Sequence, residues 1–391
     1  MIERNLSPIL LERATQYPVV TVTGPRQSGK TTLCRAAFPK HKYVSLEPLD
    51  TRSYATEDPR GFLREHSHGA ILDEIQHVPG LLSYLQVEVD ERPEPGRFVL
   101  TGSQHFGIGQ QISQSLAGRA AVLALLPPTL DELRRFDAPF DDLWSVLCSG
   151  AFPRIHDRGI PAHTWLGDYE TTYVQRDVRQ LLNVGDLGSF TTFLRLCAGR
   201  SAQEVNLSSL AADTGVVTNT ARAWLSVLEQ SYLVIRIPSW HTNHRKQVVK
   251  APKLHFIDTG LLCHLLGIHE PGQLVHHPLR GAIFESWVVS EIFKAQVHSG
   301  QVPRLFHYRE ARGPEVDCIV EQATSLRLVE AKSAATVSEH FFEPLRKLSG
   351  HLQGLAGVTD VSCFLVHGGQ TSQHRTDVEV LDWSHLHDAG W

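Results

Sequence analysis

The chain has no apolar run approaching the roughly 18 residues that a membrane-spanning helix requires, and this excludes a helical membrane protein. It has no C-x-x-C pair. Cys34, Cys148, Cys197, Cys263, Cys318 and Cys363 stand singly, as reduced thiols do in a cytosolic protein rather than a disulfide framework. No H-E-x-x-H occurs, and the pairs His66/His68, His276/His277 and His385/His387 lack a third ligand nearby, so no zinc site is expected despite 22 histidines. Excess positive charge is missing as well: the net charge is −5, so any face that meets nucleic acid must be local. Met1-Ile2-Glu3-Arg4-Asn5 carries no apolar leader. The expected location is the cytoplasm, with no membrane partner.

What is present is globular: 391 residues, 42 % hydrophobic and 20 % charged, enough for two or three domains with cores of their own. One stretch organises the rest. Val19 to Thr23 (V-V-T-V-T) predicts a short buried strand. Gly24-Pro25-Arg26-Gln27-Ser28-Gly29-Lys30-Thr31 follows as G-x-x-x-x-G-K-T, and Thr32 to Ala37 continues without a breaker as a helix. Strand, glycine-rich loop and helix N-terminus in that order aim backbone N–H groups at an anion. The loop, through Thr32, would cradle the phosphates of ATP. Lys30 would reach the β- and γ-phosphates, and the Thr31 hydroxyl would bind Mg²⁺.

The companion element is Gly69-Ala70-Ile71-Leu72-Asp73-Glu74, an apolar strand ending in two acids. Asp73 would hold Mg²⁺ through its water shell and Glu74 would act as catalytic base on the attacking water. Arg97 to Thr101 predicts another strand, of the kind that in P-loop ATPases lies between these two. Its polar end, Ser103 or else Gln104, would contact the γ-phosphate or the lytic water. Arg119, in Leu116-Ala117-Gly118-Arg119, either brings positive charge to the transferring phosphoryl, from its own subunit or from a neighbour in a homo-oligomer, or is a surface arginine at a helix end. Ile2 to Gln16 predicts an amphipathic helix, and Ser149 to Pro153 punctuates the end of a first domain, 1–160.

In 161–265, Leu207 to Gly215 and Thr220 to Glu229 predict two helices around a glycine turn, with Thr218 or Asn219 as N-cap. The strand Tyr232 to Ile237 follows. This is a helix-turn-helix pattern with a wing, at about 200–240. Asn219 and Arg222 would meet DNA, as would Arg245 and Lys246 in a stretch with no acid; alternatively the module makes protein contacts and the basic run is solvated. In 266–391, Glu285 sits in a helix and Asp317 enters a strand. Glu330 and Lys332 are two apart in the next strand and so share a face. Asp317, Glu330 and Glu285 would bind a second Mg²⁺ or Mn²⁺, with Lys332 orienting water toward a phosphodiester. The alternative is a core kept for binding or assembly.

G-P-R-Q-S-G-K-T-T-L, V-S-L-E at Val44 to Glu47, I-L-D-E-I-Q, L-T-G-S-Q and L-A-G-R together resemble the prokaryotic AAA+-like (AAA_14-type) P-loop ATPases that carry a DUF4143 domain. That group is similar to AAA+ and STAND-type ATPases of the additional-strand class. Further along, Ser149 to Pro153 resembles the group's G-G-F-P. Tyr169, Tyr173 and Arg176-Asp177-Val178 resemble its Y…Y…R-D-V, and Lys253 to Leu261 its K-x-x-x-x-D-x-G-L. The D…E-x-K arrangement resembles PD-(D/E)xK nucleases. The implied fold is α/β: a P-loop parallel sheet, a helical and winged-helix middle, and a restriction-endonuclease-like α/β domain at the C-terminus. The implied function is Mg²⁺-dependent ATP hydrolysis driving a conformational change that acts on DNA. The alternative is an ATP-controlled assembly switch with slow turnover and an inactive nuclease-like domain.

Overall fold

The computed structural model describes residues 2–103, 115–136, 142–174, 187–241, 251–310, 313–355 and 357–391. Helix α1 (Ser7–Gln16) leads into strand β1 (Val19–Thr23), which is followed by α2 (Lys30–Ala37) and β2 (Lys42–Ser45). Then come α3 (Leu49–Glu57), α4 (Pro59–Glu65), β3 (Ala70–Asp73), α5 (Leu81–Glu91), β4 (Phe98–Thr101) and β5 (Ala120–Ala124). The strands form one sheet in the order β2-β3-β4-β1-β5, parallel throughout. The strand at 97–101 therefore lies between the loop-bearing strand and the one ending in two acids, as expected. β1, β3 and β4 are buried along their whole length, which continuous apolar strands achieve only when both faces of a parallel sheet are covered. The two-residue period sorts the side chains. Val20, Val22, Ile71 and Val99 pack with Leu10 of α1 and Leu33 of α2. Val19, Leu72 and Leu100 pack on the other face with Phe62 of α4 and Leu85 of α5.

Beyond β5 the chain passes Pro127-Pro128 into α6 (Leu130–Leu133), opened by a capping box between Thr129 and Glu132. The middle region holds α7 (Leu143–Ser149), α8 (Pro153–Arg158), α9 (Ala162–Tyr169) and α10 (Leu187–Ala198). The two expected helices are α11 (Leu207–Thr214) and α12 (Thr218–Gln230), although α12 starts two residues early, with Val217 rather than Thr218 or Asn219 at the N-cap. Asn206 caps α11 through the Ser209 N–H, and Gly215 ends it at φ 76°. In α12, Ala221, Trp224, Leu225 and Leu228 recur at helical spacing and are buried. A small sheet in the order β6-β8-β7 completes this region, from Gln203–Glu204, Lys253–Phe256 and Val234–Ile237 respectively.

Helices α13 (Thr259–Leu265) and α14 (Pro271–Val275) lead to α15 (Arg280–His298). The C-terminal sheet follows, from β9 (Leu305–Arg309), β10 (Glu315–Gln322), β11 (Ser325–Lys332), β12 (Asp360–His367), β13 (Gln373–His374) and β14 (Glu379–Asp382), with α16 (Glu343–Leu352) between β11 and β12. β9, β10 and β11 are antiparallel, whereas β12 and β14 run parallel to β11. Leu326 and Leu328 of β11 face Leu345 and Leu348 of α16. Val329 and Ala331 join a second core with Phe284 and Val288 of α15. That second core also takes in Leu194, Trp224 and Phe256, so the middle and C-terminal parts share one apolar interior. Among the described residues no helix is long and apolar enough to cross a membrane.

Candidate functional site

The loop between β1 and α2 takes its shape from backbone conformations that few residues adopt. Gly24 has φ 142°, and a Cβ there would stand 2.1 Å from the carbonyl oxygen of Leu125. Gly29 has φ 95° and ends the loop as N-cap of α2. The first N–H groups of α2, which follow the loop directly, have no partner within the helix. Lys30 is buried, and its ammonium donates to the carbonyls of Gly24 (3.1 Å) and Pro25 (2.8 Å). Burial lowers its pKa to about 8, even though Glu74 and Asp73 pull the other way.

Asp73 ends β3 beside this loop. Its carboxylate accepts from Thr31 Oγ1 at 2.9 Å, from Tyr43 OH at 2.8 Å and from Thr101 Oγ1. Burial and the Asp73 carboxylate push the Tyr43 phenol up to about 12, which keeps it a donor. Glu74 follows in the left-handed region at φ 58°, turning its carboxylate away from the strand. It accepts from Gln76 Nε2, and Ser103 Oγ lies 3.4 Å away. Ser103 is buried and within 3.3 Å of Gln76 Nε2. Two neighbouring strands, β3 and β4, thus deliver Asp73, Glu74, Thr101 and Ser103 to the C-terminal end of the sheet, where the loop after β1 lies, the position in which open α/β sheets bind ligands. A cleft of about 1070 Å³ opens there, lined by Arg26, Lys30, Thr31 and Glu74 and, from α8, by Arg154 and Arg158.

Arg119 stands away from the loop. Its carbonyl accepts from the N–H of Val19, so it stands at the start of β1, the opposite end of the sheet from the loop. Its guanidinium pairs with Asp90 near the surface. Five strand residues, roughly 16 Å at 3.3 Å each, separate it from the loop of its own chain. A role within one subunit does not fit this geometry.

Several residues at the site carry no sequence signal of their own. Arg4 is buried and donates to the carbonyl of Ser28 in the loop (2.9 Å), to that of Leu126 (2.8 Å) and to Glu132 (2.9 Å). His298, at the end of α15, accepts from the Leu126 N–H at 3.1 Å and lies 3.3 Å from Glu132. Burial alone would raise the Glu132 carboxyl, but His298 and Arg4 hold it well below the usual range. Arg154 and Arg158 follow the Gly-Ala-Phe-Pro punctuation, where the sequence pattern shows only a boundary.

The remaining candidates fall in two places. Asn219 and Arg222 are exposed on α12, the Asn219 Oδ1 accepting from Arg222 at 2.7 Å. Arg245, Lys246, Gln104 and Arg176-Asp177-Val178 lie outside the described residues. In the C-terminal part, Glu285, Asp317, Glu330 and Lys332 lie in one cluster, but among the described residues no three acids converge so as to hold a metal ion. Lys332 pairs with Glu330 and lies 4.0 Å from Asp317, whose Oδ2 accepts from the Ala331 N–H at 2.9 Å. Burial and Asp317 push Glu330 up to about 8, and the same causes raise Glu285. Motif and spacing assign no role in this cluster to Lys253, which enters it from β8 and bonds Glu285 at 3.0 Å.

A parallel sheet with this loop and two acids at its edge defines a P-loop ATPase-type domain. Residues 16–134 match the AAA domain AAA_14, and residues 140–272 and 280–386 match two domains of unknown function, DUF8612 and DUF4143. The chain is 31 % identical over 343 residues to the uncharacterized proteins Rv2008c of Mycobacterium tuberculosis and Mb2031c of Mycobacterium bovis, covering 86 % of this chain and 76 % of each relative. It belongs to their family, an AAA-type P-loop ATPase domain joined to DUF4143. Among solved structures it resembles the Walker-type ATPase PABY2304 of Pyrococcus abyssi (15 % identity, TM-score 0.46, 68 % of this chain and 96 % of that one). It also resembles a single-site variant of RuvB from Thermotoga maritima (21 % identity, TM-score 0.31, 59 % and 87 %).

Proposed function

We propose that the chain is a Mg²⁺-dependent ATP hydrolase whose nucleotide state drives a conformational change acting on DNA. The observation that carries the hydrolytic part is the meeting of Lys30, Thr31, Asp73, Glu74 and Ser103 at one edge of the sheet. The loop N–H groups and Lys30 hold the phosphates, with Lys30 leaving the Gly24 and Pro25 carbonyls to do so. The Thr31 hydroxyl and Asp73 carboxylate, 2.9 Å apart, are the hard oxygen donors that suit Mg²⁺ beside a triphosphate. When bound, Mg²⁺ neutralises charge on the β- and γ-phosphate oxygens. Glu74 takes the proton of the attacking water, and Ser103 orients that water or the γ-phosphate. Arg154 and Arg158 add positive charge from across the cleft. Arg119 is left to a subunit interface of a homo-oligomer or to the surface.

The DNA part is supported by α11 and α12 in helix-turn-helix order and by the gathering of Glu285, Asp317, Glu330 and Lys332 on a mixed sheet flanked by α15 and α16, as in a nuclease-like core. The second reading, an ATP-controlled assembly switch, is favoured by α12 itself: Arg222 is its single cation over Thr218–Gln230, a poor surface for phosphates. ATP turnover measured with and without duplex DNA over a salt series separates the two. Stimulation that fades as salt rises supports action on DNA. ATP-dependent oligomerisation with no DNA effect supports the switch.

A further inference from the structure

We propose that the ammonium of Lys253 is the resident cation of the C-terminal carboxylate cluster, holding the place a divalent metal would need, so that the cluster is closed to metal while β8 stays seated. Lys253 is 2 % exposed. Its Nζ lies 3.0 Å from Glu285, 2.8 Å from Glu315 and 3.8 Å from Asp317, three carboxylates delivered by α15 and β10. An ammonium at hydrogen-bond distance from two carboxylates and 3.8 Å from a third fills the space between them, whereas Mg²⁺ requires its oxygens at roughly 2.0–2.1 Å in a near-octahedral shell. Among the described residues no three His, Cys, Asp or Glu side chains converge in an arrangement that holds a metal ion, this cluster included.

The placement is built in rather than incidental. Lys253 begins β8 of the middle region's sheet, whose next core residues, Leu254 and Phe256, are fully buried. By the two-residue period His255 points the same way as Lys253, and its Nδ1 lies 3.2 Å from Ser286 Oγ, one position along α15 from Glu285. A charged side chain is carried into a buried site only where partners compensate its lost hydration, and here Glu285 and Glu315 do so. The middle region therefore supplies a plug to the C-terminal one.

This inference uses the nuclease-like reading only to say where a metal would sit, and cleavage assays test that reading separately. The test is Mn²⁺ binding by electron paramagnetic resonance on the full nucleotide-free chain: wild type, Asp317→Asn and Lys253→Met. The expected result is no Asp317-dependent Mn²⁺ binding in wild type and a stoichiometric site gained in Lys253→Met. Mn²⁺ bound by wild type and lost in Asp317→Asn overturns the inference. So does a folded Lys253→Met that gains none. Should Lys253→Met not fold, the wild-type and Asp317→Asn comparison decides alone. DNA cleavage is read in parallel. Metal gained by Lys253→Met without cleavage would keep the plug and retire the nuclease-like activity. Cleavage by a wild type that binds Mn²⁺ through Asp317 would do the reverse.

Discussion

Lys30 donates its ammonium to two carbonyls of its own loop, so a bound triphosphate must take it over. Lys30→Ala is expected to abolish ATP binding in a fluorescent-nucleotide titration while leaving the circular dichroism spectrum unchanged. Ser103 stands beside Glu74 rather than at Lys30. Ser103→Ala should therefore keep the ATP dissociation constant and slow turnover about fivefold, the worth of one hydrogen bond of ~1 kcal/mol. Gly24→Ala should fail differently: a Cβ 2.1 Å from the Leu125 oxygen forces the loop off β5, and both affinity and stability fall. At this scale the sequence was readable where chemistry is local. Eight consecutive residues spell out the loop, and two adjacent acids end a strand. Tyr43 and Thr101 escaped because their hydroxyls acquire meaning only beside Asp73, 30 and 28 residues away in the chain. Arg119 was left open between site and surface because the sequence alone does not say that Ala120–Ala124 is a strand parallel to β1, the pairing that sets its start at the end away from the loop.

At the scale of elements, the segment before α1 locks the loop to α6 and α15 through Arg4, Glu132 and His298. Removing one member of a buried charged pair typically costs about 3–5 kcal/mol, and Arg4→Ala should lose that much in a denaturant titration. Glu132 gives the pH dependence. Its carboxyl is held well below the ordinary value of 4.5, so its contribution is present above that pH and is lost as pH falls toward the depressed value. Glu132→Gln should be clearly less stable than wild type at pH 7, and the gap should narrow in thermal melts taken progressively below pH 4.5. Such a lock is invisible in the sequence, since Arg4 and Glu132 are 128 residues apart. The helices themselves were legible: α12 declares its buried face through Ala221, Trp224, Leu225 and Leu228.

Across the whole molecule, the apolar interior that runs from Leu126 to Trp391 joins the middle and C-terminal parts, while the two faces of the N-terminal sheet have cores of their own. Calorimetry is expected to show separate melting of the N-terminal sheet and of the remainder, with a nucleotide at 100 times its dissociation constant stabilising the former by about 2.7 kcal/mol. Separate melting of the middle and C-terminal parts would argue against the shared core. Helix α15 bridges the regions, with Glu285 near its start and His298 at its end, roughly 20 Å apart at 1.5 Å per residue. The central claim is that Glu74 drives hydrolysis in the site formed with Lys30, Thr31 and Asp73. The measurement that tests it most directly is single-turnover ATP hydrolysis by wild type and Glu74→Gln, with affinity measured on the same preparations. The account predicts equal affinity and a rate about 10²–10⁴-fold lower in the variant, the usual weight of a general base. Equal rates in the two proteins, or a wild type that binds no ATP, would contradict it.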